Sequence, residues 1–239
     1  SPIIDEHYEN ATFPKHILPG LGEIGAFGPY IPEEYGGPGL DQISYGLIMQ
    51  ELERCDSGLR STASVQSSLV MYPIWKYGNE EQKQKYLPKL ATGEMIGCFG
   101  LTEPDYGSDA GSMITRAVRV PGGWKLNGAK MWTTGAKVAD RLLVLARTDK
   151  NVEKNHHGLT MFFVDGKSPG ITASLLPKLG MRAMGSCSVA YDDVFVPDCD
   201  VLGEPGKAWY AMLPTLNNER IMVGAQCLGA IDGVLEDAL

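Results

Sequence analysis

Hydrophobic and polar positions change period twice along the chain. From Leu40 to Arg54, Ile43, Leu47, Ile48 and Leu52 recur at helical spacing and predict a helix with that face inward. Ser57-Gly58 interrupts the run. A second helix is predicted from Ser61 to Tyr77, with Val65, Leu69, Val70 and Ile74 inward and Gly78 as its stop. Asn79 then caps a third helix. Gln82, three residues on, completes a capping box, and Gly93 ends the element. Tyr35 to Pro38 reads as a loop.

After Glu94 short apolar runs replace the helical spacing. Strands are predicted at Met95–Thr102, Ile114–Val120, Trp124–Leu126, Leu142–Ala146, Leu159–Val164, Ile171–Leu175 and Val189–Val196. Pro121-Gly122-Gly123 marks a turn, and Asn127-Gly128 is the strongest two-residue hairpin signal. Short strands this close together predict an antiparallel sandwich or barrel. Beyond Gly206 helical spacing returns, with Ile221, Ala225, Leu228 and Ile231 on one face, and it is still running at Leu239. The expected class is therefore α+β. A helical domain spans 1–95, a β domain 96–205, and 206–239 is the first helix of an incomplete helical-bundle domain.

Composition narrows the partners. The net charge is −8 with no Lys/Arg run, which argues against nucleic acid. No stretch is apolar enough to cross a bilayer. The chain begins at Ser1, not Met, so a preceding targeting segment stays open. The five cysteines are scattered without a C-x-x-C pair, which fits free thiols in a reducing compartment. No His or Cys sits at metal-ligand spacing, and His156-His157 reads as a solvated loop.

Three segments carry candidate chemistry. The loop Phe99 to Asp109 contains Leu101, Thr102, Gly107 and Ser108. Its hydroxyls and amides could bind a flavin edge and a pyrophosphate, with Gly107 allowing close approach. Trp132, followed by Thr133 and Thr134, offers an aromatic face beside hydrogen-bond donors. Each segment alone is also an ordinary polar loop, or a core Trp beside strand threonines. Finally, Glu219 lies on the last helix, within Asn217-Asn218-Glu219-Arg220.

Taken together, T-E-P-x-x-G-S-D followed by L-N-G-x-K-x-W-T-T resembles the acyl-CoA dehydrogenase family. So do Pro32 to Gly37, Tyr77 to Pro88 and Val189 to Pro197. The block Glu51 to Met71 is most similar to the glutaryl-CoA dehydrogenase branch. The resemblance implies a helical, a β and a C-terminal four-helix domain, with FAD between the last two. It places Phe99, Leu101, Thr102, Gly107, Ser108, Trp132, Thr133 and Thr134 at the flavin. Thr134 would face N5, Thr102 the pyrimidine side of the ring, and Ser108 the pyrophosphate or pantetheine.

By the same resemblance Arg60, with Ser61 and Ser64, holds a distal acyl carboxylate, which suits a planar, permanently charged fork. The ordinary reading of Arg60 is a helix-start Arg paired with Asp56 or water. Asn217, Asn218 and Arg220 fall among the acyl-CoA contacts. Some branches carry the catalytic base at the Glu219 position. The glutaryl branch has a small residue there and its base beyond Leu239, so a catalytic Glu219 and a Glu paired with a nearby Lys or Arg both stay open.

The expected activity is α,β-dehydrogenation of a CoA thioester. Glutaryl-CoA is the first choice, with decarboxylation to crotonyl-CoA, against a substituted succinyl-CoA or a short or branched acyl-CoA. An acyl-CoA oxidase and a non-catalytic acyl-CoA-binding module are the rivals from other classes. The implied partners are an electron-transferring flavoprotein and further copies of the chain in a dimer or tetramer. The implied setting is a bacterial cytoplasm or the mitochondrial matrix.

Overall fold

The computed structural model describes residues 2–239. Helices come first: α1 (Pro2–Asn10), α2 (Leu18–Glu23), α3 (Gln42–Cys55), α4 (Ser57–Ser64), α5 (Tyr72–Tyr77) and α6 (Glu80–Ala91). Asp41 caps α3 by accepting from Ser44 N at 2.7 Å. The chain breaks at Asp56, one residue before the predicted Ser57-Gly58. Asp56 is extended (φ −166°) and caps α4 by accepting from Leu59 N at 2.7 Å. The capping box of Asn79 and Gln82 forms as predicted.

The inward face of α3 differs from expectation. Tyr45, Met49 and Glu53 are buried, and Ile48 and Leu52 pack partly against the core. Ile43 and Leu47 are 74% and 58% exposed. A helix with apolar residues around most of its circumference has no unique inward face by period alone, so packing partners chose it.

Between α4 and α5 the helix continues as a π-helical stretch, Val65–Met71. Each residue there turns less than in an α-helix, so three consecutive polar side chains stay inside. Gln66 Nε2 donates to Leu90 O and Met95 O, while its Oε1 accepts from Gly97 N at 2.8 Å. Ser67 Oγ accepts from Gly28 N at 2.8 Å. Ser68 turns toward α7 (Ala208–Ala238).

Eight strands follow: β1 (Gly97–Gly100), β2 (Arg116–Val120), β3 (Gly123–Thr134), β4 (Arg141–Arg147), β5 (Leu159–Asp165), β6 (Ile171–Leu175), β7 (Ser186–Pro197) and β8 (Val201–Leu202). They form one sheet in the order β6-β7-β3-β2-β4-β5-β8, with β1 on β4. Most pairs are antiparallel; β1 with β4, and the single pair Arg116–Arg147 joining β2 to β4, are parallel. Leu142, Val144, Ala146, Phe162 and Val164 share a core with residues of β3 and β7, inside the curled sheet. Leu143, Leu145, Met161 and Phe163 point the other way and join the helical core. Alternation along β4 and β5 thus buries both faces, which is why they read as continuous apolar runs.

Asn127-Gly128 makes no hairpin. The β2–β3 turn falls at Pro121-Gly122, and Asn127-Gly128 lies inside β3 at a register shift against β7. Asn127 Nδ2 and Oδ1 instead hold Asp193, itself at φ 50°. Gly128 has φ 146°, and a Cβ there would lie 2.5 Å from Thr115 Oγ1. The glycine serves a bulge and a close approach, a use the dipeptide signal does not distinguish from a turn.

On α7 the buried residues include Met212, Thr215, Met222 and Gly229. Ile221, Leu228 and Ile231, predicted as one apolar face, are exposed among the described residues. α7 lies against α3 at Gly229, where a Cβ would stand 2.2 Å from Gln50 O. Gln50 to Asp232 and Arg54 to Glu236 bridge the same two helices.

Gly128→Ala is expected to destabilise the chain by about 2 kcal/mol, from overpacking plus the positive φ. Thermal unfolding that leaves Tm within about 1 °C of the parent would refute this account of the bulge.

Candidate functional site

The ends of β1 and β3 meet at a cavity of about 210 Å³. Phe99, Leu101 and Thr102 line it from the β1 side, Met131, Trp132 and Thr134 from β3, Val65 and Leu69 from the π-helical stretch, and Leu216 from α7. Met131 N donates to Thr102 O at 2.8 Å, which locks the two strand ends together. The β3–β7 register slips between Lys130 and Thr133, and Trp132 adopts φ 60° there. That slip turns the Trp132 ring outward, 56% exposed, while the Thr133 hydroxyl is buried without a hydrogen-bond partner. A planar, partly polar ring fits the exposed indole face and the two threonines that remain at the rim.

Of the sequence-predicted flavin residues, Phe99, Leu101, Thr102, Trp132 and Thr134 converge on this cavity. Thr133 is buried and does not line it. Gly107 and Ser108 lie in an exposed turn and do not line it. A Cβ on Gly107 would meet nothing within 4 Å, so no protein contact demands glycine there.

Sequence reasoning did not single out the pair that sets this geometry. Lys130 and Glu103 form an ion pair at 2.9 Å with side chains 0% and 2% exposed. Lys130 Nζ also donates to Leu101 O at 2.9 Å. Glu103 accepts from Ile114 N and Thr115 N at 2.7 and 2.9 Å. Burial pushes the Lys130 ammonium down to about 8 against the pull of Glu103. Burial also raises the Glu103 carboxyl, but the Lys130 charge and the donors of Ile114 and Thr115 outweigh it and hold the group below its ordinary value. Glu103 directly follows Thr102, and Lys130 stands two residues before Trp132. One buried pair therefore ties both cavity-lining segments. The signal was available, because a Lys flanked by strand residues on a half-buried strand needs a partner.

A second buried network joins α3, α4, the π-helical stretch and α7. Arg60 Nε donates to Glu53 Oε2 at 2.7 Å, with side chains 5% and 3% exposed. The partner is thus Glu53, one helix earlier, and not Asp56, which is occupied as a cap. Glu53 Oε1 accepts from Ser57 Oγ at 2.5 Å. Arg60 Nη1 donates to Ser64 Oγ at 3.0 Å. Ser64 Oγ and Ser68 Oγ then reach the two carboxylate oxygens of Glu219, the first at 3.2 Å. No Lys or Arg pairs with Glu219 among the described residues.

Beneath the carboxylate lie Tyr45 and Tyr30, with ring centroids 5.2 Å apart. Burial first, and the charge of Glu219 next for Tyr45, raise these phenols well above their ordinary value, so both stay protonated. The structure brings Arg60, Ser64 and Glu219 together. Ser61 contributes only its carbonyl, to Ser64 Oγ. Asn217 and Arg220 pair with each other on the exposed side of α7, and Asn218 is half-buried.

His156 and His157 are less solvated than the sequence suggested, since both rings reach Tyr210 Oη at 3.3 and 3.1 Å. No group of His, Cys, Asp or Glu could hold a metal among the described residues. No described helix is long and apolar enough to cross a membrane.

A helical layer packed on a curled sheet, with a cavity where two strand ends meet the helices, defines an α+β protein with an aromatic-walled ligand site. Comparison with known proteins supplies the family. Residues 1–94 match the acyl-CoA dehydrogenase N-terminal domain and residues 98–194 the acyl-CoA dehydrogenase middle domain. The chain belongs to the acyl-CoA dehydrogenase family.

It is 37% identical to an acyl-CoA dehydrogenase of Bacillus subtilis over 100% of this chain and 63% of that protein. It is 37% identical to an isovaleryl-CoA dehydrogenase of Oryza sativa over 95% of this chain and 56% of that one. A glutaryl-CoA dehydrogenase of Mycobacterium smegmatis, solved in complex with FADH2, superposes with a TM-score of 0.90 at 41% identity, over 98% of this chain and 59% of that chain. The chain therefore spans about three fifths of the length of the relatives it matches.

Glu103→Gln leaves the Lys130 charge buried without its counter-ion and is expected to cost about 3–5 kcal/mol. The double variant Glu103→Gln/Lys130→Met should lose less than the sum of the two single changes. Urea unfolding of all four proteins measures the coupling, and additive losses would show that the pair does not act as a unit.

Proposed function

We propose that this chain carries the helical and β parts of an FAD-dependent enzyme that dehydrogenates a CoA thioester between its α and β carbons. The observation that carries the reading is the convergence of Thr102, Trp132 and Thr134 with Leu216 on one cavity, with Glu219 one helical turn beyond Leu216. FAD, when bound, supplies the hydride acceptor.

The roles of the protein residues follow from their chemistry. Trp132 offers a ring face, and Thr102 and Thr134 offer hydroxyls at the cavity rim. Glu219 is the candidate base for the α-proton. It is half-buried on α7, one turn beyond the cavity-lining Leu216. Ser64 and Ser68 hold both its oxygens, which orients the group before substrate arrives. Leu69, Val65 and Leu216 exclude water from the acyl side.

Two acyl classes fit the polar end of this site. A dicarboxylyl-CoA such as glutaryl-CoA, with or without loss of CO₂, is supported by the buried guanidinium of Arg60 and by the glutaryl-CoA dehydrogenase neighbours. An uncharged short or branched acyl chain is supported by the pairing of Arg60 with Glu53 and by the short-chain and isovaleryl relatives. The proposed electron acceptor is an electron-transferring flavoprotein. A chain solved in work on the electron-transferring flavoprotein of Acidaminococcus fermentans is 38% identical over 99% of this chain. Bacterial and mitochondrial relatives fit a cytoplasmic or matrix setting, and assembly into a homo-oligomer belongs to the same proposal.

Glu219→Gln in the full-length, FAD-loaded enzyme is expected to slow anaerobic bleaching of the flavin band by acyl-CoA by about 1,000-fold or more, with FAD content unchanged. Bleaching at the parental rate would assign the proton to another residue.

A further inference from the structure

The hydrogen bonds around Glu219 bear on which acyl chain the site accepts, given the dehydrogenase reading above. Arg60, Glu53 and Glu219 are joined by hydrogen bonds, through Ser64 next to the cavity-lining Val65 and, for Glu219, also through Ser68 next to Leu69. The Arg60 charge is already matched by Glu53 inside the protein, at 2.7 Å and away from water. Glu219 reaches the same guanidinium through one hydroxyl, because Ser64 Oγ accepts from Arg60 Nη1 at 3.0 Å and lies 3.2 Å from Glu219 Oε1. Both Ser64 and Ser68 also lie within reach of helix carbonyls, Ser61 O at 3.2 Å and Ser64 O at 2.8 Å. Each hydroxyl has one proton, so neither serine can donate to Glu219 and to a second carboxylate at once; the Tyr45 hydroxyl, buried without a partner, is a neutral donor that adds no counter-charge. The phenols of Tyr45 and Tyr30 stand near Glu219, and Val65 and Leu69 line the adjoining cavity; none of the four adds positive charge.

We infer that Glu219 is a specificity-determining residue: its carboxylate occupies the hydroxyl-lined position beside Arg60 and excludes acyl chains that end in a carboxylate, so the substrate class is a CoA thioester with an uncharged acyl chain. The ledger of charge is simple. With the empty site at +1 and −2, an uncharged acyl chain leaves the balance unaltered. A terminal carboxylate would make it +1 and −3, and like charges brought together out of water repel strongly. Discrimination then comes from a repulsive group built into the pocket rather than from better contacts to the preferred chain.

Valeryl-CoA and glutaryl-CoA have equal carbon count and differ in the terminal charge. In the full-length FAD-loaded enzyme, anaerobic flavin bleaching should favour valeryl-CoA in kcat/KM by at least about 100-fold. In Glu219→Gln, which keeps the shape and removes the charge, calorimetric binding of the same two thioesters reports the pocket without turnover. The glutaryl-CoA Kd should tighten by at least about tenfold while the valeryl-CoA Kd stays within about threefold. Bleaching by glutaryl-CoA as efficient as by valeryl-CoA in the parent overturns the inference and leaves the dehydrogenase reading intact. So does a Kd ratio in Glu219→Gln equal to that of the parent. Failure of both thioesters to bleach the parent flavin overturns the two together.

Discussion

The double burial of β4 and β5 is the constraint on which the rest of the structure rests. One face of each strand closes the interior of the curled sheet, and the other supplies the helical core with Leu143, Leu145, Met161 and Phe163. The two layers therefore share a wall and have no freedom to slide. β1, paired with β4 through Gly97 to Gly100, is carried into position by that wall, and the Phe99–Thr102 segment follows from it. The π-helical stretch then docks on β1 through Gln66, which brings Val65, Leu69 and Ser68 to the same place. The cavity forms where these elements have to meet.

Two buried ionic groupings sit on this frame, and they do different work. Lys130 and Glu103 are satisfied by each other and by backbone groups, so their effect is to hold two strand ends in one arrangement. Arg60, Glu53 and Glu219 do not balance. The excess negative charge is held by the hydroxyls of Ser64 and Ser68, each next in sequence to a residue that lines the cavity. Backbone irregularities lie next to both. The β3 slip with Trp132 at φ 60° adjoins the first, and the π-helical stretch forms the floor of the second.

Local signals and tertiary outcome part company at identifiable residues. Asn79 and Gln82 were legible because a capping box is closed within four residues. The strands from Leu142 and Leu159 were legible because no other element of that length is so uniformly apolar. Asn127-Gly128 was misread because the dipeptide reports only tolerance of positive φ, and a bulge uses the same tolerance as a turn. Ile43 and Leu47 were misassigned because the inward face of an apolar-rich helix depends on what it packs against. Asp56 looked like a partner for Arg60 by nearness in sequence, yet a helix cap had already claimed it.

By itself, the sequence determined the order of helices and strands, the caps and the apolar runs. These depend on neighbours within one or two turns of chain, and such interactions are present in the string of residues. Tertiary structure alone decided that Glu53 answers Arg60, that Lys130 answers Glu103, and that Glu219 comes to rest on Ser64 and Ser68, 155 and 151 residues away. The physical reason is that a buried charge takes whichever partner the packed layers bring within hydrogen-bond reach, and that choice is a property of the closed core.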